Sequence, residues 1–334
     1  MLQYFQKVGS LGMLSKLKPS AAVSSHYKAS PKENVRHKSL LEPNNKMEPL
    51  PFLEYPNVTI NNPKAVLEKI TKINKDGAEA LHIITDFDMT LTKHWVNGKR
   101  NFSSHSALQA SNAVSDDFVK QAKEIFAKYY PLEIDPTIPH NEKVKHMVDF
   151  WEESHGIFIK EKLSADLIRA ALKDFKIVYR EGTHHFMDVT GKKNIPVLVF
   201  SAGVGDIINE LLIGQGLLHP HVYVISNFMD FRASPPHEAI GFKKPLIHLL
   251  NKGEIALKET PFYGLAHSRQ NAILMGDSLG DLQMSNGLDH STLLTIGFLS
   301  HNVDQNLTSY SSQFDVVITH DSSFDWVNQI INHL

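Results

Sequence analysis

Short apolar runs that stop abruptly at polar or acidic side chains, each followed by a helical stretch, constrain this chain more than any other feature. Leu81 to Thr85 ends in Asp86-Phe87-Asp88-Met89-Thr90. Ile195 to Phe200 ends in Ser201-Ala202-Gly203, and Ala272 to Met275 ends in Gly276-Asp277-Ser278-Leu279-Gly280-Asp281. Further runs of the same kind lie at Val222 to Ile225, Leu293 to Phe298 and Phe314 to Ile318. Runs of this length between helical stretches are strands buried on both faces, and their alternation with helices implies a mostly parallel sheet. The expected fold class is α/β, a Rossmann-like doubly wound parallel sheet.

One interval breaks the alternation. Residues 92 to about 112 are polar and turn-rich around Asn97-Gly98. A helix is then expected from Ser115, with Phe118, Ala122, Ile125, Phe126 and Tyr129 on one face and Pro131 as its stop. A second carries Val144, Met147, Val148 and Trp151, and a third starts at Ser164, with no strand between them. The expected organisation is a core domain of residues 51–91 and 190–334, interrupted by a helical cap domain of residues 92–189. Within the core, helices are expected over residues 62–74, 206–215 and 245–251.

Residues 1–50 differ from the rest. They are rich in Ser, Lys and Pro and hold no carboxylate before Glu33. Such a segment reads as a disordered tail or as an organelle transit leader. Cytoplasmic localisation is the expectation, with a mitochondrial or plastid address as the alternative if the leader reading holds. The 334 residues contain no cysteine, which excludes a thiolate zinc site, a cysteine nucleophile and any disulfide. A formal charge of -2 provides no bulk basic field for a nucleic-acid polymer or an acidic membrane, and a monomer is expected.

The strand ends carry the chemistry. Carboxylates at the end of a buried strand are costly unless they are used. At positions i and i+2 of an extended chain, Asp86 and Asp88 point the same way. Asp86 can then attack while Asp88 handles a proton, and either can hold a divalent cation. A lone pair of this kind would read as a solvated turn. In a doubly wound sheet, however, the ends of parallel strands converge on one edge. Asp277 and Asp281 would join Asp86 there in an oxygen-rich site suited to Mg2+. Ser201 could donate its hydroxyl, and Ala202 and Gly203 their N–H groups, to a phosphate. Phosphoryl transfer also needs a fixed cation, for which Lys243, Lys244 and Lys252 are candidates.

This ordered set, from about residue 77 to 334, resembles the haloacid dehalogenase-like phosphatases. The resemblance implies that Asp86 is a nucleophile that becomes an aspartyl-phosphate and that Asp88 is the general acid and base. It also implies that Asp277 ligates Mg2+ with Asp86 and the backbone carbonyl of Asp88, supported by Asp281. Ile84 to Leu91, Phe200 to Asp206, Ser226 to Phe231, Gly276 to Asp281, Asn251-Lys252 and Tyr129 to Asp135 together resemble the cytosolic 5'-nucleotidase type III (pyrimidine 5'-nucleotidase) family. That resemblance places the catalytic lysine at Lys252. It implies base recognition by Glu133, stacking by Trp151, and contributions from Ser154 and His94, with His105 and Ser106 as further candidates. The segment from His94 to Arg100 looks like plant-type members.

The implied activity is Mg2+-dependent hydrolysis of nucleoside 5'-monophosphates, with a pyrimidine or 7-methylguanine base. A nucleoside intercepting the aspartyl-phosphate would add phosphotransferase activity. The alternatives are a phosphatase of the same type on another small phosphomonoester, and a non-catalytic phosphate-binding regulatory module.

Overall fold

A computed structural model describes residues 55–135, 137–253 and 260–334, all within one compact unit, Pro49–Leu334. The tail or leader expected at residues 1–50 lies outside the described residues. In order, the elements are β1 (Val58–Ile60), α1 (Pro63–Asp76), β2 (Leu81–Thr85), β3 (Trp95–Val96) and β4 (Lys99–Arg100). Four helices follow: α2 (Asp116–Ile134), α3 (His140–Lys160), α4 (Ala165–Leu172) and α5 (Thr183–Lys192). Then come β5 (Val197–Val204), α6 (Gly205–Gly214), β6 (Val222–Asn227), β7 (Met229–Phe231) and β8 (Ala239–Phe242). The chain ends with α7 (Pro261–His267), β9 (Asn271–Gly276), β10 (Thr292–Leu299), α8 (Val303–Ser311), β11 (Val316–Thr319) and α9 (Asp325–Asn332).

Seven strands form the main sheet in the order β1-β11-β10-β9-β2-β5-β6. All neighbours are parallel except β1, which pairs antiparallel with β11 through Val58 and Ile318. From β2 the chain passes to β5 and β6 on one side, then returns to β9, β10 and β11 on the other. The carboxyl end of β2 is thus a topological switch point, where such sheets leave a crevice. The period of two along the strands divides the core between the faces. Ile83, Val199, Ile273, Met275 and Phe298 join α1, α5, α6 and α9, whereas Ile84, Leu198, Phe200 and Leu274 pack with Phe262 of α7 and Leu307 of α8.

The doubly wound fold with a helical insertion is as the sequence led us to expect, and several local features differ, among them the edge strand β1, helices α5 and α7, and β5, which runs past the expected end at Phe200 to Val204. Helix α2 continues through Pro131 to Ile134. Pro131 opens the last turn, where its missing N–H and its ring weaken only the bond to the turn before it, and the helix ends three residues later rather than at the proline. Residues 245–251 are not helical. Asn227 binds both the N–H and the carbonyl of Ile247, and Asn251 binds His248 N and Leu246 O, so side chains satisfy the backbone in place of a helical ladder. The polar interval after Leu91 contains a hairpin, β3–β4, whose turn uses positive φ at Asn97 and Gly98. A second small hairpin, β7–β8, was also not foreseen. It packs against the insertion, with Phe242 stacked on His155 of α3 and Ala239 N bonded to Leu163 O.

Helix α1 shows how the sheet is covered. Asn62 caps its start through Ala65 N, and Gly77 ends it with an N–H to Ile73 O. Val66, Ile70 and Ile73 form the buried stripe. Ile70→Ala should destabilise the protein by about 2–5 kcal/mol in urea denaturation. The same truncation at the exposed Ile213 should cost no more than about 0.5 kcal/mol.

Candidate active site

Strand β2 delivers Asp86 to the switch point. Its N–H continues the sheet ladder to Met275 O of β9 at 2.9 Å, and its carboxylate is buried. The chain then turns sharply. Met89 adopts the left-handed φ of 63°, its N–H bonds Thr92 Oγ1, and Leu91 N reaches back to Phe87 O. Lys252 arrives from the loop that Asn227 and Asn251 brace. Its Nζ donates to Asp86 Oδ1 at 2.6 Å and to Asp281 Oδ1 at 2.8 Å, and the side chain is 3% exposed. Asp281 also accepts Ser278 N through Oδ2 at 3.0 Å, closing the capping box of the short 3-10 helix Leu279–Ser285.

Carboxylate oxygens of Asp86, Asp277 and Asp281 lie within 4.8 Å of one another. Burial, more than any other influence, pushes Asp86 up to about 7 against the pull of Lys252. It also raises Asp277 well above the usual carboxylate range, with Asp86 and Asp281 adding repulsion. One ammonium therefore does not balance the acidic charge gathered here. A hard divalent cation fits an all-oxygen donor set of this charge.

The second carboxylate of the pair is held differently. Asp88 Oδ1 accepts Ser104 N at 2.7 Å and Oδ2 accepts Ser104 Oγ at 2.6 Å. Burial raises its pKa, and the Ser104 bonds only partly offset this. Ser104 follows the β3–β4 hairpin, so that hairpin positions a carboxylate sixteen residues earlier in the chain. Across the crevice, Ser201 Oγ accepts Gly203 N at 3.0 Å, while Ser226 Oγ and Asn227 Nδ2 bind the carbonyls of Gly203 and Ala202. A methyl group on Gly203 would overlap Ser104 Oγ, so the close approach of the end of β5 to the segment after β4 requires glycine there.

The expected cap residues fall into three groups. Trp151 and Ser154 share a face of α3, with His105 5.6 Å from the Trp151 ring and His155 also at 5.6 Å. Ser154 Oγ, His105 Nε2 and His155 Nε2 are buried without a hydrogen-bond partner. Burial draws His105 down to about 4 and His155 to about 3, so both rings are neutral at physiological pH. Glu133 sits in the last turn of α2, raised by burial and eased by the charge of Arg100. His94 stacks on His301 at 5.6 Å and contacts Trp95 at 4.8 Å. Arg100 acts electrostatically on Asp88, His94 and Glu133, which ties the acidic end to the cap.

Sequence reasoning missed Ser104, Asn227 as a brace, His155 and Arg180. Ser104 carries no signal beyond one serine in a polar run, and Asn227 was noticed only as part of a longer motif. The buried Arg180 donates to Met89 O and Thr90 O, directly after Asp88, from a position ninety residues away from Thr90.

A doubly wound sheet whose switch point bears this Asp-x-Asp turn, a lysine on its first carboxylate and a helical insertion defines the haloacid dehalogenase-like class. Residues 89–334 match the model of the family described as "Pyrimidine 5'-nucleotidase (UMPH-1)". The 7-methylguanosine phosphate-specific 5'-nucleotidase A of Xenopus laevis is 36% identical over 283 residues, which span 84% of this chain and 97% of that protein. The human 7-methylguanosine phosphate-specific 5'-nucleotidase is 34% identical over 278 residues, 83% of this chain and 92% of that one. The crystal structure of cytosolic 5'-nucleotidase IIIB bound to cytidine aligns with a TM-score of 0.79 at 33% identity, covering 85% of this chain and 95% of that chain. The chain belongs to the pyrimidine 5'-nucleotidase family, within the cytosolic 5'-nucleotidase III group, and is a 5'-nucleotidase. These relatives come from animals, so they lend no support to the plant-type expectation drawn from His94 to Arg100.

Two outcomes test the site. The folded protein holds the Asp86 and Asp277 protons more tightly than the unfolded chain does. Ionising these buried carboxylates, with their mutual repulsion added, therefore costs stability as pH rises from the ordinary carboxylate range towards about 7. A bound cation competes with those protons. The gain in Tm on adding Mg2+ to chelator-treated protein should grow between pH 5 and pH 8, and a pH-independent gain would place the cation elsewhere. Gly203→Ala should lower kcat by about 10- to 100-fold through displacement of Ser104 and Asp88, with little loss of helical circular dichroism.

Proposed function

We propose that this 5'-nucleotidase hydrolyses 7-methylguanosine 5'-monophosphate in preference to other nucleotides, with pyrimidine nucleoside monophosphates as secondary substrates, and that Asp86 carries the phosphoryl group. The observation that carries the reading is Lys252 seated on both Asp86 and Asp281 beside Asp277, in a buried acidic site at the sheet's switch point. A module that only bound phosphate would have no use for three buried carboxylates facing an anion.

In the proposed reaction an oxygen of Asp86 attacks phosphorus as the bond to the 5'-oxygen breaks. Asp88, whose burial favours the protonated form, gives its proton to the leaving alkoxide. The resulting Asp88 carboxylate then takes a proton from water, whose oxygen attacks the aspartyl-phosphate and restores Asp86. A nucleoside hydroxyl in place of water would make this step a phosphotransfer. Ser104 suits both states of Asp88. Its N–H only donates and so keeps Oδ1 unprotonated, whereas its hydroxyl can donate to or accept from Oδ2. Ser201, Ala202 and Gly203 bind the phosphoryl oxygens, and the Lys252 ammonium offsets their charge. Mg2+ held by Asp86, Asp277 and the Asp88 carbonyl, with Asp281 in support, would supply the remaining positive charge that the phosphate requires.

The base choice rests on the cap, residues 92–189. Trp151 lies next to His105 and His155, both neutral, and Glu133 is a further acid of the insertion that feels the charge of Arg100. A base that carries positive charge gains from both the ring face and the carboxylate. His94, drawn down to about 4 by burial, is likewise a neutral ring able to stack. The relatives' names point the same way for the purine, and the cytidine-bound relative for the pyrimidine. Among the described residues no helix is long and apolar enough to cross a membrane. A cytoplasmic monomer is the reading we adopt.

Phosphate release with Mg2+ from 7-methyl-GMP, UMP, CMP, AMP, GMP and p-nitrophenyl phosphate tests the proposal. We expect 7-methyl-GMP to give the highest kcat/KM, Asp86→Asn to abolish turnover, and Glu133→Ala to raise KM about tenfold or more for nucleotides only. An equal effect of Glu133→Ala on p-nitrophenyl phosphate would remove Glu133 from base recognition.

A further inference from the structure

Arg180 is completely buried, and every nitrogen of its guanidinium is spoken for. Nε donates to Thr90 O at 3.0 Å, Nη2 to Met89 O at 2.7 Å and Nη1 to Ser322 O at 2.8 Å, while Nη1 also lies 3.1 Å from Asp321 Oδ1. The group lies 4.4 Å above the Phe298 ring. Two of its acceptors are the first two carbonyls after Asp88. Those carbonyls belong to the turn that Met89 enters with left-handed φ, a conformation that costs a residue with a Cβ about 1 kcal/mol. The neighbouring backbone is fastened to the same segment, with Arg180 N bonded to Leu91 O and Lys93 N to Val178 O.

The carboxylate on the far side of the guanidinium serves a second purpose. Asp321 Oδ1 accepts His94 N at 2.9 Å and Oδ2 accepts Trp95 N at 3.0 Å. Ser300 Oγ adds a longer bond to Oδ1, and Trp95 Nε1 binds Ser300 O. These bonds fix the root of the β3–β4 hairpin, and the segment that follows β4 reaches Asp88 through Ser104. A buried charge is an expensive way to fill a core position. Here its donors are directed at the loop that carries the acid and, through Asp321, at the hairpin that orients it.

We infer that Arg180, paired with Asp321, is a positioning residue for general-acid catalysis, holding the Met89–Thr90 turn and the β3–β4 hairpin so that Asp88 faces the leaving oxygen. The inference rests on the reading of Asp88 as the acid. It gives Arg180 no contact with substrate. Burial draws its pKa down only to about 10, so it is a cation throughout the working pH range.

The test uses leaving groups. A nucleoside 5'-alkoxide needs a proton as it departs, whereas p-nitrophenolate is stable without one. A change confined to folding or to the fraction of active protein lowers both rates equally, and a loss of base recognition raises KM, so the ratio of the two rates of leaving-group release at saturating substrate reports the acid. For Arg180→Lys and Asp321→Asn we expect the nucleotide-to-aryl ratio to fall by about tenfold or more, and for Asp88→Asn by about 100-fold or more. An unchanged ratio in both Arg180→Lys and Asp321→Asn, alongside a collapsed ratio in Asp88→Asn, would overturn the inference and leave the acid assignment standing. An unchanged ratio in Asp88→Asn would overturn the acid assignment itself and the inference with it. Should Arg180→Lys fail to fold, Asp321→Asn decides, because it retains the guanidinium and its three carbonyl acceptors.

Discussion

One buried ammonium among carboxylates governs the architecture of the site. Lys252 touches Asp86 and Asp281 at once, and Asp277 lies beside them. Three elements distant in sequence must reach one point for this to happen: the end of β2, the loop before α7 and the turn after β9. The sheet order does the gathering. Because β2 sits between β5 and β9, the loops that follow β2, β5 and β9 share one edge. The loop with Lys252 is brought to the same edge by Asn227 at the end of β6, which binds Ala202 O and both backbone groups of Ile247. The buried charges are the cost of the chemistry, and the parallel core on either side of the sheet offsets it.

Much of this was legible in the sequence, for a physical reason. Strands buried on both faces are mostly apolar, so carboxylates and hydroxyls gathered at the end of such a run stand out. Asp86, Ser201 and Asp277 were therefore marked as strand-end groups by the contrast with Ile83, Val199 and Leu274. Helical periodicity in the insertion was equally plain around Phe118 and Trp151. What the sequence concealed was backbone satisfied by side chains. Residues 245–251 carry helix-compatible apolar spacing, yet Asn227 and Asn251 supply their hydrogen bonds and no helix forms. Pro131 misled in the opposite direction: the helix continues three residues past it to Ile134.

Long-range positioning was illegible for a different reason. Ser104 on Asp88 and Arg180 on Met89 and Thr90 are single polar residues whose partners lie elsewhere in the chain. Neither periodicity nor motif spacing encodes such a pairing. Only the folded geometry shows that Arg180, which reads in sequence as an ordinary charged residue before α5, has no exposure at all.

The β3–β4 hairpin joins two tasks in one short piece of chain. His94, whose ring stacks on His301 and whose N–H binds Asp321, stands just before it, and Ser104, which holds Asp88, lies just after it. On the proposed roles, base recognition and proton transfer are therefore coupled through one segment. An insertion or deletion in this hairpin would shift His94 and Ser104 together, so a change of loop length on one side carries through to the other.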